Sequence, residues 1–151
     1  MITISRTSSD DLDFQKLVQV LDQDLMAYYK EENGFYGTLN AIEKIKYAVV
    51  AYDENKKPIG CGGLKRFSED EVEIKRMYVS LDCRGKGVAI QILSALEDWS
   101  KDLKFKKCIL ETLKKKPYAI RFYEKSNYKI IPNFGDYANA NNSICFAKTL
   151  E

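Results

Sequence analysis

The chain has 151 residues, 45% of them hydrophobic and 30% charged, a composition that fits one globular core burying about 70% of the unfolded surface and excludes a disordered or low-complexity chain. Twenty-four lysines and arginines against 22 acidic residues leave a net charge of +2, too little for nucleic acid or an anionic membrane to be the expected partner. Histidine is absent, which excludes Ser-His-Asp and Cys-His catalysis, mixed Cys/His zinc sites and histidine proton relays; any acid or base must be a carboxylate, Tyr, Lys or Cys.

In chain order, the first residues hold no basic segment followed by an apolar run, and no stretch approaches ~18 uninterrupted apolar residues, so a soluble, unexported chain is expected. Ile2 to Arg6 alternates apolar and polar residues like a short strand, and the Ser-Ser-Asp-Asp cluster after it offers N-caps for a helix. Phe14, Leu17, Val18, Leu21, Leu25 and Tyr28 recur at three- and four-residue steps and predict one buried helical stripe up to about Lys30. Residues 35–46 carry aromatics without clear periodicity and read as a loop or short helix near whatever site exists.

Residues 47–52 read as a strand, the Asp-Glu-Asn-Lys-Lys run as a turn, and Pro58 onward as the returning strand of a hairpin. The next strand, Glu71 to Val79, changes face: its apolar positions are Val72 and Ile74, then Met77 and Val79. One extra residue near Lys75 and Arg76 restores the alternation, so a β-bulge is expected there, the alternative being a strand buried on both faces. Val88, Ile92, Leu96, Trp99 and Leu103 then mark a second helix, residues 107–111 a strand, and Pro117 the first turn of a third helix running to about Ser126. Short strand material at 128–131 and a last strand at 143–150 complete one α+β domain over residues 1–151, a mixed, mostly antiparallel sheet flanked by helices and joined by β-helix-β crossovers in its second half.

Gly85 and Gly87 sit where a strand turns into a helix, a place where free amides and the positive helix end favour a phosphate, and Arg84 and Lys86 add charge. An ordinary tight turn is the alternative. No Gly-Lys-Ser or Gly-Lys-Thr makes a Walker A loop, and Ile90 stands where a dinucleotide fingerprint needs its third glycine, although Glu111 lies at roughly the distance of its ribose-binding acid. Cys61, Cys83, Cys108 and Cys145 lie more than 20 residues apart without a CxxC pair, which fits reduced thiols in the cytoplasm better than zinc or a disulfide framework.

The run Val79-x-x-x-x-Arg84-Gly85-Lys86-Gly87-Val88-Ala89 resembles motif A of the GNAT superfamily of N-acetyltransferases (Gln or Arg, two residues, Gly, one residue, Gly or Ala), with Arg84, Gly87 and Ala89 in the signature positions. About 35 residues later, Ala119-Ile120-Arg121-Phe122-Tyr123-Glu124-Lys125 is similar to that family's second marker, an Ala-Ile-x-Phe-Tyr-Glu-Lys helix. The resemblance implies a sheet splayed between its fourth and fifth strands with acetyl-CoA in the gap. It further implies that the backbone of Met77 to Val79, with Tyr78 between them, bonds the pantetheine arm, and that amides from Gly85 to Ala89, flanked by Arg84, hold the pyrophosphate. It places Tyr123 at the proton donor and Glu73 at the general base, with Glu71 or water as the open alternatives, and transfer is direct, without metal. Cys83 is therefore not expected to form an acyl-enzyme. Two departures stand out: Lys116 occupies the place of a customary Asn or Gln, and Asn127 that of a customary glycine. Lysine cannot accept a hydrogen bond, whereas Asn tolerates the left-handed cap.

The function expected is transfer of acetyl from acetyl-CoA to a primary amine of a small molecule, with a non-catalytic CoA-binding sensor as the alternative. The acceptor pocket is expected between residues 35–46 and the loop 133–137, with Phe35, Arg76 and Tyr137 touching the substrate. Aromatics suit a cationic amine, and Lys75 and Arg76 an acceptor carboxylate, so an amino-acid-like acceptor satisfies both. A homodimer is left open.

Overall fold

A computed structural model of the chain describes residues 1–29 and 44–151; the expectation for Phe35 and its neighbours up to 43 lies outside them. Among the described residues are seven strands, β1 (Thr3–Thr7), β2 (Tyr47–Tyr52), β3 (Pro58–Arg66), β4 (Glu71–Val79), β5 (Lys107–Leu113), β6 (Lys129–Ile131) and β7 (Ser143–Thr149), and three helices, α1 (Leu12–Tyr29), α2 (Val88–Asp102) and α3 (Pro117–Lys125). The strands form one mixed, mostly antiparallel sheet in the order β1-β2-β3-β4-β5-β7-β6. Its parallel pair is β4 with β5, in register from Glu71↔Lys107 to Ile74↔Leu110. By contacts the chain divides into two compact units, Met1–Gly63 with Arg76–Leu96 and Leu64–Lys75 with Glu97–Glu151.

In the first unit, Asp11 starts α1: its Oδ1 accepts from the amides of Asp13 (2.8 Å) and Phe14 (3.1 Å), two donors the helix itself cannot satisfy. The expected stripe faces the core up to Leu25; the Tyr28 side chain lies outside what is described. Phe14, Leu17 and Leu21, with Val18 and Leu25 beside them, pack against Ala48 and Val50 of β2, Cys61 of β3 and Tyr78 of β4. A Cβ on Gly60 of β3 would stand 2.7 Å from Ile92 Cδ1 and 2.9 Å from the Tyr78 carbonyl oxygen, so only glycine lets the first half of α2 approach this closely. Ile92 and Leu96 are fully buried there, and truncating either to Ala would cost about 2–5 kcal/mol. The face change in β4 has a specific residue: Arg76 takes φ +60, a left-handed conformation that lets the strand change which side it buries. Its carbonyl accepts from the Cys61 thiol, and its guanidinium pairs with Asp22 of α1.

In the second unit β5 is central, antiparallel to β7 from Lys107↔Thr149 to Leu113↔Ser143, and β6 adds to the far side of β7. Pro117 opens α3, where its missing amide hydrogen leaves no bond unmade. Asn127 ends the helix at φ +73, the left-handed conformation Asn was expected to tolerate. Tyr123 anchors α3 by edge contacts to Phe122 and Tyr128, with ring centroids at 5.1 and 5.8 Å, and Phe146 of β7 lies 6.0 Å away. The Tyr128 hydroxyl donates to Glu97, which also receives Lys148 at 3.1 Å, so the half-buried carboxylate is matched by a phenol and an ammonium.

Candidate active site

The first unit holds the turn between β4 and α2. After the single 3-10 turn Leu81–Cys83, residues 84–87 are exposed and α2 begins at Val88, which is buried, and Ala89, which is half-buried. Gly85 and Gly87 take φ +80 and +82, and a Cβ on either would meet nothing within 4 Å. Backbone conformation, not crowding, therefore requires glycine at both places, and the open space beside them leaves the amides at the start of a 15-residue helix free to be approached by an anion. The Arg84 Nε donates to the Val79 carbonyl at 2.9 Å and its guanidinium lies 5.7 Å from the Tyr78 ring, which ties the turn back onto the end of β4. Met77 is half-buried, and Tyr78 and Val79 are buried. Cys83 points at Asp82, and burial followed by that carboxylate pushes its thiol up, away from nucleophilic thiolate.

The second unit holds a polar face. Glu73 is buried, 7% exposed, and its Oε2 accepts from the Tyr137 hydroxyl at 3.2 Å and lies 3.8 Å from the Lys75 ammonium, which in turn reaches the Tyr137 oxygen at 3.3 Å. Glu71 is half-buried, and its carboxylate accepts from the Ser68 hydroxyl at 3.0 Å within the β3–β4 turn. Phe134 and Phe67 extend the aromatic surface beside Tyr137, with ring centroids at 5.6 and 5.1 Å along the series. Tyr123 is 7% exposed, and among the described residues its hydroxyl makes no hydrogen bond. Burial first, and the Glu111 charge second, push that phenol above its ordinary value, so it stays protonated at working pH. Glu111 itself is half-buried; burial raises its carboxyl to about 7 against the hydrogen bond from Ser143, with the Glu73 charge raising it further and Lys75 and Lys116 opposing.

Of the residues singled out in the sequence, the fold brings Glu73 and Tyr137 together through Lys75, and puts Tyr123 within electrostatic range of Glu111. Arg76 pairs with Asp22, and Phe35 lies outside the described residues. Glu111 was weighed in the sequence only against a dinucleotide fingerprint, and its hydrogen bond with Ser143 was not foreseen. Their link needs the pairing of β5 with β7, which no local pattern in the sequence carries. Among the described residues, no three His, Cys, Asp or Glu side chains gather as a metal site, and no helix is long and apolar enough to cross a membrane.

The profile of the acetyltransferase (GNAT) family matches residues 14–128. This chain belongs to the GNAT acetyltransferase family. The match takes in α1, β4, the 84–89 turn and Tyr123 of this acetyltransferase and stops before β7. An IAA acetyltransferase of Azospirillum brasilense is 25% identical to the GNAT chain over 150 residues, 99% of this chain and 98% of that one. A candidate acyl-CoA N-acyltransferase from Klebsiella pneumoniae shares the fold at a TM-score of 0.83 and 22% identity, covering 100% of this chain and 99% of its own. A candidate streptothricin acetyltransferase from Bacillus anthracis, solved in complex with acetyl coenzyme A, is similar over 73% of this chain and 65% of its own, at a TM-score of 0.62 and 22% identity.

Proposed function

We propose that this GNAT acetyltransferase carries the acetyl group of acetyl-CoA directly to a primary amine of a small, amino-acid-like molecule. The observation that carries the reading is the pair of left-handed glycines, Gly85 and Gly87, opening α2 with clear space beside them. Two phosphates joined by one oxygen are the anion such a row of amides suits, and the Bacillus anthracis relative was solved with acetyl-CoA. Amides from Gly85 to Ala89 hold the pyrophosphate with Lys86 nearby, and the backbone of Met77 to Val79 aligns the pantetheine as an added strand would. Bound acetyl-CoA supplies an activated thioester. Tyr123 keeps its proton on Oη for the departing sulfur, and a buried hydroxyl with no hydrogen-bond partner among the described residues gains a bond by donating it. Glu73 is the carboxylate on the acceptor side, drawing in an ammonium and accepting a proton directly or through water. Tyr137 and its aromatic neighbours line the acceptor's apolar part, and Arg76 and Phe35 remain proposed contacts. The four cysteines are free thiols, which suits the cytoplasm as the setting.

Calorimetry with acetyl-CoA, NAD and ATP tests the first half: acetyl-CoA binds most tightly, and NAD binding without CoA binding would refute it. Thiol release against amino acids, polyamines, amino sugars, aminoglycosides and peptides tests the second. Free amino acids are acetylated; tight CoA binding with no thiol release from any amine would leave a CoA sensor.

A further inference from the structure

Among the described residues, the second unit holds two trios of the same chemistry, each a carboxylate, a phenol and an ammonium. Around Glu97, the Lys148 ammonium reaches both carboxylate oxygens, at 3.1 and 3.2 Å, and the Tyr128 hydroxyl donates to one of them at 2.8 Å. These short, charge-assisted bonds tie α2 to β7, the work of a structural ion pair. Around Glu73, the Lys75 ammonium stands 3.8 Å from Oε2 and reaches the Tyr137 hydroxyl at 3.3 Å, which in turn donates to Glu73 at 3.2 Å. The second trio is the looser and also the more enclosed, with the Lys75 side chain 8% exposed against 26% for Lys148. Enclosing an ammonium is costly unless its bonds are good, so structural pairing accounts for Lys148 better than for Lys75.

Lys75 holds the place that the proposed function gives to the acceptor. Its ammonium lies beside the carboxylate assigned to draw in an ammonium and accept a proton, and 5.9 Å from the centre of the Tyr137 ring assigned to the acceptor's apolar part. Lys75 is also two residues ahead of Met77 along β4, the strand whose backbone the same reading gives to the pantetheine.

We propose that Lys75 is a self-acetylation site, the amine that the acetyl group of acetyl-CoA reaches when no outside acceptor is present. The inference rests on the acetyl-transfer reading and adds to it an acceptor supplied by the chain itself. One nitrogen–hydrogen bond of the ammonium breaks with its electron pair staying on Nζ, and the proton bonds to a Glu73 carboxylate oxygen, from which solvent later removes it. Both charges vanish together, so this step leaves no unpaired charge buried. Nζ then bonds to the thioester carbonyl carbon, the carbon–sulfur bond breaks with its electrons on sulfur, and the sulfur takes a proton from Tyr123. A second proton lost from Nζ restores that phenol. The products are a neutral acetamide on Lys75 and free CoA.

The test is mass spectrometry of the full chain incubated with acetyl-CoA and no amine, then digested with chymotrypsin, which does not cut at lysine. Lys75 gains one acetyl group at a rate per molecule independent of protein concentration. Lys148 stays unmodified, and exposed lysines such as Lys56 and Lys104 react far more slowly. Tyr123→Phe and Glu73→Gln each slow the modification of Lys75 about 100-fold, and either suffices if the other folds poorly. The proposal is overturned by Lys75 left unmodified, by exposed lysines modified as fast, by a rate proportional to protein concentration, or by an unchanged rate in the folded variants. If Lys75 stays unmodified while an amine from the screen above releases thiol, this inference alone fails. Wild-type protein that binds no acetyl-CoA in calorimetry removes the acetyl-transfer reading with it.

Discussion

The turn at residues 84–89 and the face around Glu111 present polar groups in opposite ways. The turn is exposed and its polar groups are backbone amides, set by two glycine torsions and indifferent to which side chains surround them. The Glu111 face is enclosed and its polar groups are side chains from β4, β5, β7 and the residues after β6, each holding its neighbour's proton balance. A backbone site fails when a torsion is forbidden; a side-chain site fails when a partner is removed, because a buried charge without one costs several kcal/mol. Substitutions should therefore divide cleanly between lost binding and altered protonation.

The largest effect is expected at Tyr123. Tyr123→Phe removes one oxygen, keeps the aromatic packing and acetyl-CoA affinity, and lowers kcat about 100- to 10,000-fold, roughly 3–5 kcal/mol of barrier; turnover within about twofold of wild type would leave water as the acid. Next comes Gly87→Val, which places a β-branched residue at φ +82 and costs about 1–3 kcal/mol of strain. Calorimetry should show acetyl-CoA affinity reduced about tenfold or more while Glu111 still titrates normally, and unchanged affinity in the folded variant would remove the turn from the binding site.

A smaller effect, on the order of 2 kcal/mol, concerns pH. Glu111 moves from an ordinary carboxyl value of 4.5 to about 7 on folding, so between these values the folded protein binds more protons than the unfolded one, and stability falls as pH rises through that window. Urea midpoints should decline from pH 5 to 7.5 in wild type more than in Glu111→Gln, and equal slopes would contradict the burial of this group. The smallest change is a control that touches neither region: Asp11→Ala removes the α1 cap and should lower stability by about 1 kcal/mol in urea melts without altering turnover.

Much of the fold was legible because it repeats. The α1 and α2 stripes follow helical spacing, the β2–β3 hairpin is bounded by turn residues, and the parity break in β4 pointed to the two residues of which one, Arg76, proves left-handed. The turn was legible for a related reason: glycines at two fixed positions before a helix are a local signal. The Glu111 face was not, since Glu73, Glu111 and Ser143 are separated by 38 and 32 positions, and only strand register brings them onto one surface. Nothing in the sequence reveals that the Val79 carbonyl lies within reach of the Arg84 Nε.

That Arg84–Val79 bond has an entropic consequence. A glycine-bearing turn ordinarily samples many shapes, and a ligand that selects one of them loses the freedom of the rest as part of its own affinity. Here the bond at 2.9 Å and the Tyr78 ring beneath the guanidinium fasten the turn at its root with no ligand needed. On the proposed function, capture of the pyrophosphate then resembles docking onto a surface already set, with little conformational search after encounter.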